Sequence, residues 1–223
     1  KEKKLMKYIN QKKGIFISTP FSKAAVDRLV EFKIPMFKIG SGECNNYPLV
    51  EYICKRKKPI ILSTGMNDIK SIRPAVNIIR KYKLPYVLLH CVNIYPTPPN
   101  LVRLEAMLEI KKNFKDAIVG LSDHTEDIYT SLGAVALGAS VIEKHFTDNK
   151  KSKGPDMSSS LDPNDLKTIG FEQHAEILCK IIKKGTKFYE VPINYNGRSY
   201  AEGKKIRAYH FFSVLFQIVR GKF

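Results

Sequence analysis

Side chains capable of chemistry lie directly after short apolar runs in this sequence. Residues 37–43 read FKIGSGE, so an ammonium (Lys38), a hydroxyl (Ser41) and a carboxylate (Glu43) lie around two glycines. Glycine lets the backbone approach a ligand closely, and the three polar groups could converge on it. The pattern favours an anion-binding site with a built-in base. A tight turn with incidental polar residues is the alternative.

A second cluster of this kind is the Ser63-Thr64-Gly65 sequence, which again follows an apolar run. Small hydroxyl groups beside a glycine suit phosphate oxygens. Either hydroxyl could instead cap the N-terminus of the following helix, so the two interpretations both stay open.

Two histidines, His124 and His145, each follow an apolar run and lie 21 residues apart. That spacing is close to one strand-helix unit, so the two imidazoles could face each other at neighbouring strand ends and share a divalent ion. Two protein nitrogens would leave coordination positions for water and substrate, which favours Mn²⁺ or Mg²⁺ over structural zinc. For either histidine alone, a simple hydrogen-bonding role is the alternative.

Two loops carry further candidates for substrate contacts. Asn93 and Tyr95 lie in the proline-rich segment NIYPTPP and offer an amide and a phenol for reading substrate hydroxyls. Asp156 lies in a long loop where its carboxylate could bind sugar hydroxyls. A rigid connector and a simple turn are the respective alternatives.

The elements that must position these groups alternate between strand and helix, which predicts an α/β protein with a parallel sheet. Most strands end in a polar cluster, and such ends converge at one mouth in a (β/α)₈ barrel. Because that barrel needs eight strands and six are predicted, the first two strands are expected to be missing. The predicted strands are residues 14–19, 36–40, 59–63, 86–92, 117–121 and 140–145, and the predicted helices are 23–32, 48–55, 69–82, 102–114 and 128–137.

The composition excludes several classes of function. The 223 residues include 43% hydrophobic residues, without an apolar run long enough to span a bilayer and without a signal sequence, so the cytoplasm is the expected compartment. The net charge of +17 invites a nucleic-acid partner, but no recognition motif accompanies it, so we expect a lysine-rich surface that steers anionic substrates. The four cysteines lack CxxC spacing and are predicted to be free thiols.

Six motifs in order resemble the N-acetylneuraminate (sialic acid) synthase family, including its legionaminate and pseudaminate synthase relatives. The resemblance covers about residues 14–168 and implies a (β/α)₈ barrel. It also implies an enzyme that adds phosphoenolpyruvate to an N-acetylmannosamine-like aldehyde and releases phosphate. The motifs are FISTPF (16–21), FKIGSGE (37–43), LSTGM (62–66), HCVNIYPTP (90–98), GLSDHT (120–125) and EKHF (143–146).

The resemblance also implies a role for each matching residue. Glu43 would assist proton transfer or position the attacking water, and His124 with His145 would hold the metal, Mn²⁺ or else Mg²⁺. Phe21, Tyr95 and Asp156 would line the sugar side of the site. The residues implied to contact phosphoenolpyruvate are Thr19, Lys38, Ser41, Ser63, Asn93 and Ser122.

The C-terminal part departs from this family, which predicts a domain boundary between residues 1–168 and 169–223. The family's C-terminal antifreeze-like domain, which serves the partner subunit in a homodimer, has no counterpart here. Residues 169–223 instead resemble the end of polyprenyl-phosphate glycosyltransferases of the dolichol-phosphate mannosyltransferase type. Residues 208–223 are apolar and basic enough for an interfacial amphipathic helix, with packing on the barrel as the alternative.

Two other functions therefore stand beside the synthase hypothesis. The first is a non-catalytic remnant, because six strands cannot close an eight-stranded barrel unless another chain completes it. The second is a membrane-associated glycosyltransferase accessory, which depends on the tail alone.

Overall fold

One parallel sheet of five strands, arranged in sequential order, forms the centre of the computed structural model, which describes residues 2–163 and 165. The register places Lys38 beside Ile61, and Leu89 beside Gly120. Parallel neighbours in sequential order are the arrangement of a βα barrel, here an open half-barrel. The strands are β1 (Phe37–Ile39), β2 (Ile60–Ser63), β3 (Tyr86–Cys91), β4 (Ile118–Asp123) and β5 (Val141–Lys144).

A helix lies in each crossover between consecutive strands, and two further helices precede β1. Short 3₁₀ turns follow β1 (Ser41–Glu43) and precede α5 (Pro99–Leu101). Parallel strands need such crossovers because each strand ends at one edge of the sheet and the next strand begins at the opposite edge. The helices are α1 (Glu2–Gln11), α2 (Lys23–Glu31), α3 (Tyr47–Cys54), α4 (Ile69–Lys81), α5 (Glu105–Asn113) and α6 (Tyr129–Ala136).

Local caps explain why three of the helices begin where they do. The Ser22 hydroxyl accepts a hydrogen bond from the Ala25 amide at the start of α2, and Asn46 caps α3 in the same way. Asp68 and Ser71 form a reciprocal capping box at the start of α4. Each cap satisfies amide groups that have no partner inside the helix.

The hydrophobic core lies between the sheet and the helices. Phe37 and Ile39 of β1 are fully buried, while Lys38 between them is not. Successive side chains of a strand point to opposite faces, so Lys38 faces the concave side of the sheet. Core residues from both layers include Ile60, Leu62, Leu88, Val50, Val76, Ile79 and Phe114.

Five of the six predicted strands and all five predicted helices are confirmed with small shifts at their ends. The predicted strand at residues 14–19 is wrong, because the structure assigns no strand there. A strand at residues 14–19 would have to pair with β1, which has only three residues and therefore offers few ladder hydrogen bonds. Helix α1 was not predicted, since its lysine-rich sequence masks the amphipathic pattern of its Leu5, Met6 and Ile9 side chains.

The described residues belong almost entirely to one structural unit that ends at Asp162. The predicted boundary at residue 168, the glycosyltransferase-like segment and the predicted amphipathic helix at 208–223 lie outside the described residues. Within the part of the chain that the structure describes, no helix is both long and apolar enough to cross a membrane.

Close packing of β4 on β5 depends on Gly120. A β-carbon at this position would overlap the carbonyl oxygen of Val141 and would also crowd Leu89. Backbone atoms cannot move aside as a flexible side chain can, so any larger residue must separate the strands.

We therefore expect Gly120→Ala to destabilise the protein by roughly 1–3 kcal/mol, the usual effect of overpacking. The measurement is the midpoint of urea denaturation followed by circular dichroism. Gly42→Ala is the matched control, because a β-carbon at Gly42 would meet nothing within 4 Å. Equal midpoints for Gly120→Ala and the parent would contradict this account of the strand packing.

Candidate functional site at the carboxyl ends of the strands

Four side chains from four strands form a connected polar network on the concave face. The Lys38 ammonium of β1 donates to the Ser63 hydroxyl of β2 at 2.7 Å and pairs with the Glu143 carboxylate of β5 at 3.2 Å. The Ser122 hydroxyl of β4 donates to the same carboxylate oxygen at 2.7 Å. The side chain of Lys38 is only 12% exposed, so this cation is held in place rather than freely solvated.

The ion pair between Lys38 and Glu143 also shows that the sheet is strongly curved. These residues lie on β1 and β5, the two outer strands. The outer strands of a flat five-stranded sheet would be about 19 Å apart, given a spacing of about 4.8 Å between neighbours. A 3.2 Å contact between their side chains requires the edges to bend toward each other. The concave face is therefore the lumen of a half-barrel.

Ser41, Gly65 and Asn93 bring the next layer of the site together. The Gly65 amide donates to the Ser41 hydroxyl at 3.0 Å, and a β-carbon at Gly65 would collide with the Asn93 carboxamide. The Cys91 thiol donates to the Asn93 side-chain oxygen at 3.0 Å, which leaves the amide NH₂ group as the free donor. Glycine at position 65 is thus required for Asn93 to enter the site.

The two predicted metal ligands lie next to each other. The ring centroids of His124 and His145 are 5.4 Å apart, and the Tyr95 ring lies 4.1 Å from the first and 5.7 Å from the second. His124 is buried, and its Nδ1 lies 2.8 Å from the Val92 carbonyl oxygen. A proton on Nδ1 satisfies that contact and leaves the Nε2 lone pair available.

The chemistry of this pair fits a divalent ion. Burial lowers the pKa of His124, and the nearby His145 acts in the same direction, so the neutral form that can bind a metal is favoured. The described residues contain no group of three or more histidine, cysteine, aspartate or glutamate side chains placed to hold a metal. Two imidazoles with open positions match a catalytic site better than a structural one.

Three further predicted site residues, Thr19, Phe21 and Glu43, lie near the carboxyl end of β1. Thr19 and Phe21 both lie within 4 Å of the position that a β-carbon would take at Gly40. The side chain of Phe21 is largely exposed. Glu43 is in the 3₁₀ turn after β1, where its carboxylate accepts a hydrogen bond from the Asn46 side chain at 2.6 Å. The Lys38 network, which consists of Lys38, Ser63, Glu143 and Ser122, does not include it.

Tyr95 and Asp156 are linked electrostatically. Burial is the main cause that raises the pKa of Tyr95, and the negative charge of Asp156 adds to it. The backbone carbonyl of Asp156 accepts hydrogen bonds from the Ser159 and Ser160 hydroxyls, which shape this loop. The carboxylate of Asp156 therefore lies close enough to the phenol to act on it electrostatically.

Sequence reasoning did not single out Glu143, although this carboxylate joins the cation and a hydroxyl of the site. A signal was present, because Glu143 lies two residues before His145, which directly follows β5, so side-chain alternation predicts the same face for both. Cys91 was predicted as a free buried thiol, which is confirmed, as it is for Cys44 and Cys54. The hydrogen bond from Cys91 to Asn93 could be seen only in the structure.

The fold and the site together define a class: an α/β protein of the barrel type whose polar side chains gather at the carboxyl ends of its strands. The NeuB family model matches residues 1–185, and the chain accordingly belongs to the NeuB family.

Individual relatives agree with that membership. The chain is 44% identical over 203 residues to N,N'-diacetyllegionaminic acid synthase of Campylobacter jejuni, covering 89% of this chain and 60% of the relative. It is 35% identical over 164 residues to human N-acetylneuraminate-9-phosphate synthase, covering 74% and 46%. The crystal structure of the N-acetylneuraminic acid (sialic acid) synthetase of Leptospira borgpetersenii superposes with a TM-score of 0.71 at 34% identity, covering 74% of this chain and 57% of that one. The chain thus spans about half to three fifths of these relatives.

The imidazole of His124 is expected to titrate below its ordinary value of about 6.5, since burial disfavours its charged form. Its neutral form should dominate at pH 7, and protonation at lower pH should favour unfolding. The measurement is a pH titration of the ring nitrogens by NMR without added metal, with His124→Gln to assign the signal. A midpoint at or above that of a histidine in an unfolded peptide would contradict the environment described here.

Proposed function

We propose that this chain carries the catalytic site of a nonulosonate synthase, which condenses phosphoenolpyruvate with N-acetylmannosamine or a similar acylamino-sugar aldehyde and releases phosphate. The main support is the polar network of Lys38, Ser63, Ser122 and Glu143 beside the histidine pair, at the strand ends. The family membership and the names of the relatives agree with this reaction.

Phosphoenolpyruvate carries a carboxylate and a phosphate, and the concave face offers donors for both. Lys38 is a mostly shielded cation with a fixed position, and fixed charges stabilise a bound anion without reorganisation. The free NH₂ group of Asn93 and the hydroxyl of Ser63, which accepts from Lys38, can donate to further oxygens. The Ser122 hydroxyl could do so once it releases the Glu143 carboxylate. Ser41 and Thr19 complete the proposed set at the rim of the same mouth.

His124 and His145 would hold the divalent ion, for which we propose Mn²⁺ with Mg²⁺ as the alternative. When bound, the ion would supply a Lewis acid for the aldehyde oxygen of the sugar. The Val92 carbonyl fixes the tautomer of His124, and the Tyr95 ring restricts its rotation.

The remaining residues would orient the sugar and move protons. Tyr95 and Asp156 provide a phenol and a carboxylate for sugar hydroxyls, and the exposed ring of Phe21 offers an apolar surface. Glu43, held by Asn46, would position the water that attacks the oxocarbenium-like carbon or assist its proton transfer. Holding both reactants in one mouth would supply the proximity on which a bimolecular condensation depends.

The proposed reaction predicts phosphate release that requires Mn²⁺, phosphoenolpyruvate and N-acetylmannosamine or a related acylamino sugar. We expect Lys38→Met to lower the turnover rate by roughly a hundredfold or more, the usual effect of losing one fixed donor to a reacting anion. The measurement is a coupled phosphate assay. Lys81→Met is the matched control, because Lys81 pairs with Glu51 at an exposed site on the helix layer.

Soluble, folded chain that releases no phosphate with any acylamino sugar would overturn the proposal and favour the non-catalytic alternative. Equal rates for Lys38→Met and the parent would contradict the role of this lysine while leaving the reaction itself standing.

Metal binding and turnover should separate in a second pair of variants. We expect His124→Ala to weaken Mn²⁺ binding because it removes one of two ligands, and Glu43→Gln to leave binding intact while suppressing turnover. The measurement is Mn²⁺ titration followed by electron paramagnetic resonance, beside the phosphate assay. If both variants bind Mn²⁺ like the parent, the ligand assignment is wrong.

A further inference from the structure

We propose that Asp123 and Lys144 are positioning residues: their buried ion pair on the helix side of the sheet sets the distance between the two histidines. The proposal extends the proposed function, because a shared metal ion requires the two rings to stay within reach of one another. Neither residue faces the concave mouth, so neither is expected to touch substrate.

The pair joins the last register position of the two strands. Asp123 of β4 and Lys144 of β5 are direct partners in the parallel ladder, and Nζ of the lysine lies 3.2 Å from Oδ2 of the aspartate. Their side chains are 0% and 8% exposed. Because water hardly reaches this ion pair, each charge depends on its partner for stabilisation. Removing either partner would leave the other as an unpaired buried charge, which costs stability.

The residue that directly follows each of these two strands is a histidine, His124 after β4 and His145 after β5. Because successive side chains point to opposite faces, the pairing of Asp123 with Lys144 on the helix side directs His124 and His145 toward the other side. The bond that fixes the two strand ends therefore also fixes the separation of the rings, which is 5.4 Å between centroids.

Hydrogen bonds extend this constraint around His124. Oδ1 of Asp123 accepts from the Thr125 amide at 2.8 Å and from the Thr125 hydroxyl at 2.7 Å. Oδ2 accepts from the Ser131 hydroxyl of α6 at 2.6 Å, and the Lys144 ammonium donates to the Thr125 carbonyl. Thr125, on one side of His124, is thus bound to the carboxylate of Asp123, on the other side, which leaves the His124 backbone little freedom.

A role confined to stability would have different consequences. Replacing a buried ion pair by neutral groups of similar volume is often neutral for stability, whereas removing one partner is strongly destabilising. The double variant Asp123→Asn with Lys144→Met should therefore recover stability relative to Lys144→Met alone. If the pair positions the histidines, the affinity for Mn²⁺ should not recover with it.

The experiment compares the parent, Asp123→Asn, Lys144→Met and the double variant. Mn²⁺ affinity is measured by electron paramagnetic resonance well below the unfolding temperature, and stability by thermal denaturation. We expect affinity to fall roughly 10- to 100-fold in all three variants, the usual range for residues that support a metal ligand. Asp116→Asn is the control, because Asp116 pairs with Arg80 at the opposite ends of the strands.

A second measurement needs no metal. The Tyr95 ring lies 4.1 Å from the His124 ring and should shift its carbon-bound protons by its ring current. We expect that shift to shrink in Asp123→Asn, which keeps the shape of the side chain, and in the double variant, which leaves no unpaired charge buried. Absence of Mn²⁺ binding in the parent would count against the proposed metal site alone. Unchanged ring shifts in folded Asp123→Asn, or parent-like Mn²⁺ affinity in it, would overturn the positioning role.

Discussion

The ion pair between Lys38 and Glu143 is the contact on which the site depends. It joins the two outer strands of a five-stranded sheet across its concave face, so it exists only because the sheet is curved. The same curvature brings the hydroxyls of Ser63 and Ser122 to the two ends of the pair. A flat sheet with this sequence would carry the same side chains about 19 Å apart at its edges, too far to act on one ligand.

The two faces of the sheet have different roles, one in stability and the other in the candidate site. The helix side carries the apolar core, with the buried pair of Asp123 and Lys144 at its rim. The concave side carries the groups that can bind anions, and the histidines follow at the ends of β4 and β5. This division follows from the alternation of side chains along each strand, so a single shift in register would exchange core and site residues.

Much of the fold was predictable because its signals are local. Apolar runs and helical periodicity located five strands and five helices, and the capping residues Ser22, Asn46 and Asp68 lie at the starts of three helices. The failure at residues 14–19 has a non-local cause, since an apolar run becomes a strand only where another strand pairs with it, and among the described residues β1 pairs with β2 alone. The contacts of the candidate site residues were not visible in the sequence: Glu43 is held by Asn46, and Glu143, which the sequence did not single out, pairs with Lys38.

The sequence by itself determined which residues follow the strands, which face each of them takes, and the membership in a family that its six motifs indicate. Strand alternation and turn chemistry act over a few residues, and that range is visible in a single sequence. Only the tertiary structure decided that a lysine of β1 and a glutamate of β5 form an ion pair across the lumen, and that a second, buried ion pair lies behind the two histidines. These contacts depend on the curvature and stagger of the whole sheet, a collective property that no local pattern specifies.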